Sequence, residues 1–290
     1  MHFEKSFFTL LYSADTTDYL LLGLSIALFP VNWLLEAIKW KLLVRSIEHL
    51  SIWKAYSGIL TGVSFGFITP HGLGDYIGRL LQMENKERFK AFGAVFMSRI
   101  SQFAITLLMG AIGSAYFFYH ANPSVVLPES VWLILMWAAN IFMLLCFLKY
   151  QEILQLISRW KLIHFIYPYI EIIGKYTQSE ILYVLLISLC RYLVFAAQFV
   201  LLLLFFKVDQ HWMLLSMGVC FIFLAKSVIP TFFELGVREY FALFFFGAFT
   251  LHHENVLYAC LSLWLINILV PALIGAFMVF RLHFFVKEEA

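Results

Sequence analysis

The chain has 290 residues and a formal net charge of +2, and 62% of its residues are hydrophobic while 13% are charged. Soluble domains carry about 45–50% apolar and about 25% charged residues, and a globular fold of this length cannot bury so much apolar surface in one core. The composition therefore excludes an ordinary soluble domain and indicates a polytopic membrane protein. The small net charge, without a cluster of Lys and Arg, also argues against nucleic acid as a partner.

Five apolar runs are long enough to cross a bilayer, which requires roughly 20 mostly apolar residues. They cover residues 19–43, 91–119, 130–149, 181–206 and 256–281. Residues 1–18 contain charged side chains and no continuous apolar run, so we expect a short interfacial segment there and not a cleaved signal peptide. A single transmembrane domain is expected over residues 19–285.

Two further apolar stretches are interrupted. Residues 53–69 end at Thr69-Pro70, and residues 211–250 are broken at Pro230 and carry four charged residues. We expect each stretch to enter the membrane as a broken or re-entrant helix. The alternative is that both stretches cross, which gives about seven or eight spans.

Residues 150–168 show a different pattern. Their apolar side chains fall on one helical face and their charged side chains mostly lie elsewhere, up to Pro168. This pattern is typical of a helix that lies in the membrane interface. The span 130–149 then links two halves of the chain, at about 19–119 and 181–281.

The distribution of Lys and Arg among the short connections predicts the orientation. Connections 44–54, 70–90 and 149–180 are rich in these cations, whereas 120–129 and 250–255 contain none. The first three connections and the C-terminus are therefore expected in the cytoplasm, and the last two connections and the N-terminus outside. The cations assigned to the end of the first helix are Lys39, Lys41, Arg45 and Lys54.

Under this scheme the two broken stretches enter the membrane from opposite faces, so the two halves are predicted to be inverted repeats. Inverted repeats with discontinuous helices are typical of secondary transporters, whose substrate site lies where the broken elements meet. Both breaks combine a Pro, a Leu-Gly pair, an acidic residue and an Arg. The residues expected to form the breaks themselves are Pro70, Gly72, Gly74, Pro230 and Gly236.

A ridge of small residues precedes the first break. Gly58, Gly62 and Gly66 recur every four residues and predict the close approach of another helix. Two alternatives to a transporter stay open: a membrane enzyme that acts on a lipid phosphate, and a scaffold that binds partner proteins through this glycine face.

Charged side chains inside hydrocarbon are costly and face the bundle interior or a wet cavity. Either these charges pair with one another and lock the helices, or the arginines hold an anion, since their planar fork suits phosphate oxygens. A lipid phosphate is the expected anion, which makes membrane lipids the expected partners. The candidate substrate-binding residues are Asp75, Arg79, Arg99, Arg191, Glu234, Arg238 and Glu239.

Catalytic motifs are missing from the sequence. It contains no phosphate-binding glycine loop, zinc-protease motif or nucleophile elbow. Its four Asp residues form no close cluster of carboxylates that could hold Mg²⁺. We therefore expect neither an enzyme nor a bound cofactor or metal.

Four segments resemble one known family. They are KWKLL at 39–43, TPHGLGD at 69–75 with Arg79, Ser98-Arg99, and LGVRE at 235–239. They are similar to the lysylphosphatidylglycerol synthase transmembrane-region, or flippase-like, family of bacterial and archaeal membrane proteins, over roughly residues 20–282.

The resemblance implies a flippase in the cytoplasmic membrane of a prokaryote, without the soluble synthase domain of the full-length synthetases. Two departures concern the substrate. This chain has Phe232, Phe233 and Glu234 where the family usually has small Gly residues. The first helix of the family is expected to be missing or reduced to residues 1–18.

Overall fold

The computed structural model describes residues 12, 14–121, 128–159, 167–208, 210–231, 233 and 235–285. In these residues the chain folds into helices without a strand, which confirms the prediction of an all-α bundle. The helices are α1 (Thr16–Val44), α2 (Ile52–Phe67), α3 (Gly74–Leu80), α4 (Phe92–Ala121), α5 (Glu129–Leu148), α6 (Tyr150–Ser158), α7 (Tyr167–Ile170), α8 (Gln178–Phe205), α9 (Trp212–Val228), α10 (Val237–Phe246), α11 (His253–Trp264) and α12 (Val270–Phe285).

Five helical segments of the described chain are long and apolar enough to cross a membrane. They are Thr16–Val44, Arg88–Ala121, Glu129–Leu148, Gln178–Phe205 and His253–Phe280, each within three residues of a predicted span. Helices α1 and α8 begin three residues earlier than expected, because Asp15 and Thr177 form capping boxes with the acidic residues three positions later.

Helix α6 covers the first part of the predicted interfacial segment, whose place in the membrane stays a prediction. In this helix Tyr150 and Leu154 are buried, whereas Glu152 and Leu156 are exposed. Residues 160–166 of the predicted interfacial helix lie outside the described residues, as do residues 1–11 and 13 of the N-terminal segment.

The first interrupted stretch is a helical hairpin. A short 3₁₀ turn at Pro70–Gly72 connects α2 to α3, and Gly72 adopts a left-handed φ of 65° that suits a residue without a side chain. Helix α3 runs back along α2, so that a β-carbon on Gly78 would lie 2.6 Å from the Cα of Gly62. With seven residues α3 rises only about 10 Å and cannot cross a core of about 30 Å.

The predicted glycine ridge is therefore confirmed, and its partner is α3 of the same chain. A side chain at Gly62 would clash with Asp75, and a β-carbon at Gly66 would lie 3.5 Å from the Cα of Gly72. This glycine face is therefore covered within the chain, by Asp75, Arg79 and Gly72.

The second interrupted stretch is also a helical pair. Helix α9 ends at Val228, two residues before Pro230, and α10 begins after Gly236, whose φ is 96°. The two helices pack through aromatic rings, with Phe221 stacked on Phe244 at 6.2 Å between centroids and near Phe241 at 6.1 Å.

Each half of the chain packs a long helix against the helical hairpin of the other half. Helix α1 packs on α8, α4 packs on α9 of the second half, and α12 packs on α2 of the first half. Glycines permit both crossings: Gly110 lies against Leu224, and Gly275 lies against the Leu60 carbonyl. Exchanging the halves maps these contacts onto one another, whereas the inverted repeat itself stays a prediction. The orientation across the membrane stays a prediction.

Candidate functional site

Six charged side chains converge where α1, the α2–α3 hairpin, α4 and α8 meet. In the described residues this ion cluster includes two carboxylates and four cations. Five ion pairs connect its members, with N–O distances from 2.7 to 3.5 Å. The members of the ion cluster are Glu36, Lys39, Asp75, Arg79, Arg99 and Arg191.

Asp75 lies one residue into α3 and binds two arginines. Arg79, one helical turn further on, donates from Nε to Oδ1 at 2.7 Å and from Nη2 to Oδ2 at 2.8 Å. Arg99 on α4 donates from Nη2 to the same Oδ2 at 3.0 Å and to the Gly72 carbonyl at 2.6 Å. The carboxylate therefore joins α3 to α4, and Arg99 also contacts the turn of the hairpin.

Glu36 on α1 is the second anionic centre. Its Oε1 accepts hydrogen bonds from Arg79 Nη1 at 2.9 Å and from the Ser98 hydroxyl at 2.8 Å. Its Oε2 pairs with Lys39 Nζ at 2.9 Å and with Arg191 Nε at 3.5 Å. Glu36 thus receives cations from α3, from α8 and from its own helix, and a hydroxyl group from α4.

The cations of the cluster differ in accessibility. The side chains of Arg79 and Lys39 are 5% and 0% exposed and contact carboxylates directly. The side chains of Arg99 and Arg191 are 32% and 18% exposed. Each of these two guanidinium groups lies over an aromatic ring, Arg99 over Tyr76 and Arg191 over Trp33.

The turns of the two interrupted helices come together. Phe67 at the end of α2 contacts Phe233 between α9 and α10, with ring centroids 5.1 Å apart. Trp264 on α11 lies 6.2 Å from the Phe67 ring and donates its indole N–H to the Phe233 carbonyl at 2.7 Å. The sequence expectation that the two broken elements approach each other agrees with this contact.

Backbone geometry shapes both turns. Pro70 starts the 3₁₀ turn, and the N–H of Gly74 donates to the Thr69 hydroxyl at 2.7 Å, which caps the start of α3. A side chain at Gly74 would clash with the Phe65 carbonyl. In the second turn the N–H of Gly236 donates to Glu239 Oε2 at 2.7 Å.

Arg238 forms a separate pair. Its Nη2 and Nε donate to Glu239 Oε1 at 2.6 and 3.1 Å, and the side chain is fully buried. Within the described ranges, no ion pair or hydrogen bond joins Arg238 to the ion cluster. The seventh candidate, Glu234, lies outside the described residues. The structure therefore brings together four of the candidates: Asp75, Arg79, Arg99 and Arg191.

Sequence reasoning missed Glu36 and misplaced Lys39. Lys39 was counted among cations that flank the cytoplasmic end of the first helix, but it is completely buried inside α1. Its Nζ also contacts the Ser98 carbonyl and the Ser188 hydroxyl, both at 3.3 Å. The available signal was the Glu-Lys spacing of three within an apolar run, which puts both charges on one helical face.

The comparisons with known proteins identify a family. The family model described as Lysylphosphatidylglycerol synthase TM region matches residues 5–275. The chain belongs to this family, as its short motifs predict. No curated protein and no solved structure matches the chain.

Proposed function

We propose that this member of the lysylphosphatidylglycerol synthase transmembrane-region family moves a phospholipid, or another lipid-linked anionic substrate, between the two leaflets. The observation that carries the proposal is the ion cluster itself, in which four cations meet two carboxylates and two of the guanidinium groups are partly exposed. Charged side chains in a membrane face the bundle interior or a wet cavity, and arginines gathered there are suited to hold an anion.

The accessible cations have the chemistry that a phosphate needs. Guanidinium groups bind phosphate oxygens through two parallel hydrogen bonds, which a Lys ammonium cannot form. Arg99 donates from Nη2 to Asp75 and to the Gly72 carbonyl, and from Nε to Asp75. A bound phosphate competes with Asp75 for Arg99, so binding loosens the contact between the hairpin and α4.

The surface beside the cluster favours a lipid over a soluble anion. Ile68, Leu73 and Ile77 surround the turn of the first hairpin with 65%, 58% and 55% of their surfaces exposed. A lipid phosphate at Arg99 keeps its acyl chains against these apolar side chains. A soluble anion would gain nothing from them, because the hydrophobic contribution scales with buried apolar area.

Reconstitution tests the proposal. Purified protein in liposomes with fluorescent phosphatidylglycerol is expected to move the label between leaflets, as measured by quenching of the outer leaflet. Arg99→Gln is expected to slow this movement by about tenfold or more, equivalent to about 1.4 kcal/mol of barrier. Arg159→Gln, an exposed cation outside the ion cluster, is the matched control and should leave the rate unchanged.

Two results would contradict the proposal. The first is a rate equal to that of protein-free liposomes for every lipid supplied. The second is a new lipid species in mass spectra of the liposomes, which would favour a membrane enzyme.

A further inference from the structure

An aromatic junction joins the turns of the two interrupted helices. It consists of Phe67 at the end of α2, Phe233 between α9 and α10, and Trp264 at the end of α11. The Phe233 ring meets the Phe67 ring edge to face, with centroids 5.1 Å apart, and the Phe233 carbonyl accepts the indole N–H of Trp264 at 2.7 Å. One helix from each half of the chain therefore holds Phe233, α2 through its ring and α11 through its backbone.

The backbone of Phe233 is strained. Its φ of 54° lies in the left-handed region, where the β-carbon of an L-residue crowds the following carbonyl oxygen. Gly adopts this region without that cost, as Gly72 and Gly236 do in the same two turns. The backbone conformation alone therefore favours Gly at position 233, and Gly would keep the carbonyl that Trp264 binds. What Phe adds at this position is its ring.

The ring of Phe233 is not part of the core. This residue has 45% of its surface exposed, whereas Phe245 and Phe246 on the neighbouring α10 are completely buried. A side chain gains stability from the number of atoms that it contacts, so a half-exposed ring contributes less than these core rings. Because the ring also contacts Phe67, its exposed part lies where the two turns meet.

The aromatic junction lies beside the ion cluster. The first turn runs from Phe67 to Gly72, whose carbonyl accepts a hydrogen bond from Arg99 of the ion cluster at 2.6 Å. A lipid phosphate at the ion cluster therefore puts its lipid against the first turn, and the aromatic junction separates that lipid from the second turn. Both turns expose apolar side chains that suit acyl chains, with 37% to 65% of their surfaces accessible: Ile68 and Leu73 on the first turn, and Ile229 and Leu235 on the second.

We propose that Phe233 is a specificity-determining residue, whose ring limits the size of the lipid headgroup that passes between the two turns. The inference rests on the proposed function. A headgroup that moves from one turn to the other has to displace the Phe233 ring from Phe67. For a small headgroup, rotation of the ring about its side-chain bonds is enough. A large headgroup also has to separate the turns, which breaks the hydrogen bond between Trp264 and Phe233.

The test compares two phospholipids that differ in headgroup size and not in charge. Phosphatidylglycerol and phosphatidylinositol each carry one negative charge, and both are supplied with a fluorescent acyl chain in liposomes that contain the purified protein. We expect the wild type to move phosphatidylglycerol faster than phosphatidylinositol by about tenfold or more. In Phe233→Gly the ratio should fall to about twofold or less, because phosphatidylinositol moves faster.

Further variants isolate the effect of the ring. Phe67→Ala removes the ring on which Phe233 rests and leaves the left-handed residue unchanged, so it should also lower the ratio, and it decides the test if Phe233→Gly does not fold. Phe277→Ala removes a ring that is 69% exposed on α12, outside the aromatic junction, and should keep the wild-type ratio. Thermal stability is measured for every variant. Phe233→Gly should unfold at a higher temperature than Phe233→Ala, because Gly relieves the strained φ.

The outcomes separate the two proposals. Wild-type protein that moves phosphatidylinositol as fast as phosphatidylglycerol overturns the size limit and leaves the flippase in place. So does a wild-type ratio in folded Phe233→Gly or folded Phe67→Ala, or the loss of all lipid movement in folded Phe233→Gly, since the ring would then be required for transport. If the wild type moves neither lipid, the proposed function and the size limit are both wrong.

Discussion

Replacing Arg79 should unfold the protein before it affects lipid binding. Arg79 donates three hydrogen bonds to two buried carboxylates, two to Asp75 and one to Glu36, at 2.7 to 2.9 Å. Arg79→Ala leaves Asp75 dependent on the partly exposed Arg99 and removes one of the cations on Glu36.

Removing one partner of a buried ion pair lowers the free energy of unfolding by about 3–5 kcal/mol, because the other charge stays buried without its partner. For a chain of this size that corresponds to a fall in Tm of roughly 6–20 °C. Arg99→Ala should cost less, about 1 kcal/mol, because Arg99 is partly accessible to solvent and Asp75 keeps Arg79.

Thermal unfolding of the purified variants in detergent measures both effects. Asp75→Asn combined with Arg79→Met removes the pair as a unit, so the double variant should be more stable than the sum of the two single changes predicts. If Arg79→Ala unfolds at the wild-type temperature, the role of Arg79 as the internal counter-charge of Asp75 and Glu36 is wrong.

Three other predictions concern packing, pairing and topology. Gly62→Leu should destabilise the hairpin by about 1–3 kcal/mol or more, because the new side chain clashes with Asp75. Gly23→Leu is the control, since a β-carbon at Gly23 meets nothing within 4 Å. Equal thermal stability of the two variants would refute the packing argument. Arg238→Ala should lower Tm because it leaves Glu239 without its buried partner, whereas a folded Arg238→Ala protein with a normal Tm would show that the pair is dispensable. A cysteine at Ser124, in a background without the four native cysteines, should react with an impermeant reagent only from outside; labelling only from the cytoplasm would reverse the orientation.

The positions of the long helices follow from local sequence. A run of about 20 apolar residues has few alternatives in a bilayer, and both interrupted stretches are broken near a proline, Pro70 or Pro230. The capping boxes at Asp15 and Thr177 can also be recognised in the sequence. They explain why α1 and α8 each begin three residues before the predicted start.

The ion cluster was only partly predictable because it depends on contacts between distant helices. Asp75, Arg79 and Arg99 stand out as charges in apolar surroundings, but their mutual geometry is set by the turn at Gly72 and the register of α4. Lys39 lies near a helix end in sequence, and only tertiary packing shows that α8 and α4 enclose it.

The contact between the two hairpin turns was expected in general but not in its details. Phe233 stands where small residues were expected, and its ring packs against Phe67. Such a contact joins residues far apart in sequence, so no local pattern specifies it. The sequence also predicts that Arg238 joins Arg79 in one site, because both follow a Pro and a Leu-Gly pair. In the described residues the ion pair of Arg238 is with the adjacent Glu239, and the shared site stays a prediction.

The affinity of the purified protein for phosphatidylglycerol, compared with that for diacylglycerol, which lacks the phosphate, tests directly whether the ion cluster binds a lipid phosphate. We expect tighter binding of the anionic lipid. In Arg99→Ala we expect a loss of affinity of about tenfold to a hundredfold, since a charge-assisted hydrogen bond contributes about 1.5–3 kcal/mol. Equal affinity for the two lipids, or unchanged affinity in a folded Arg99→Ala protein, would contradict the claim that the ion cluster binds a lipid phosphate.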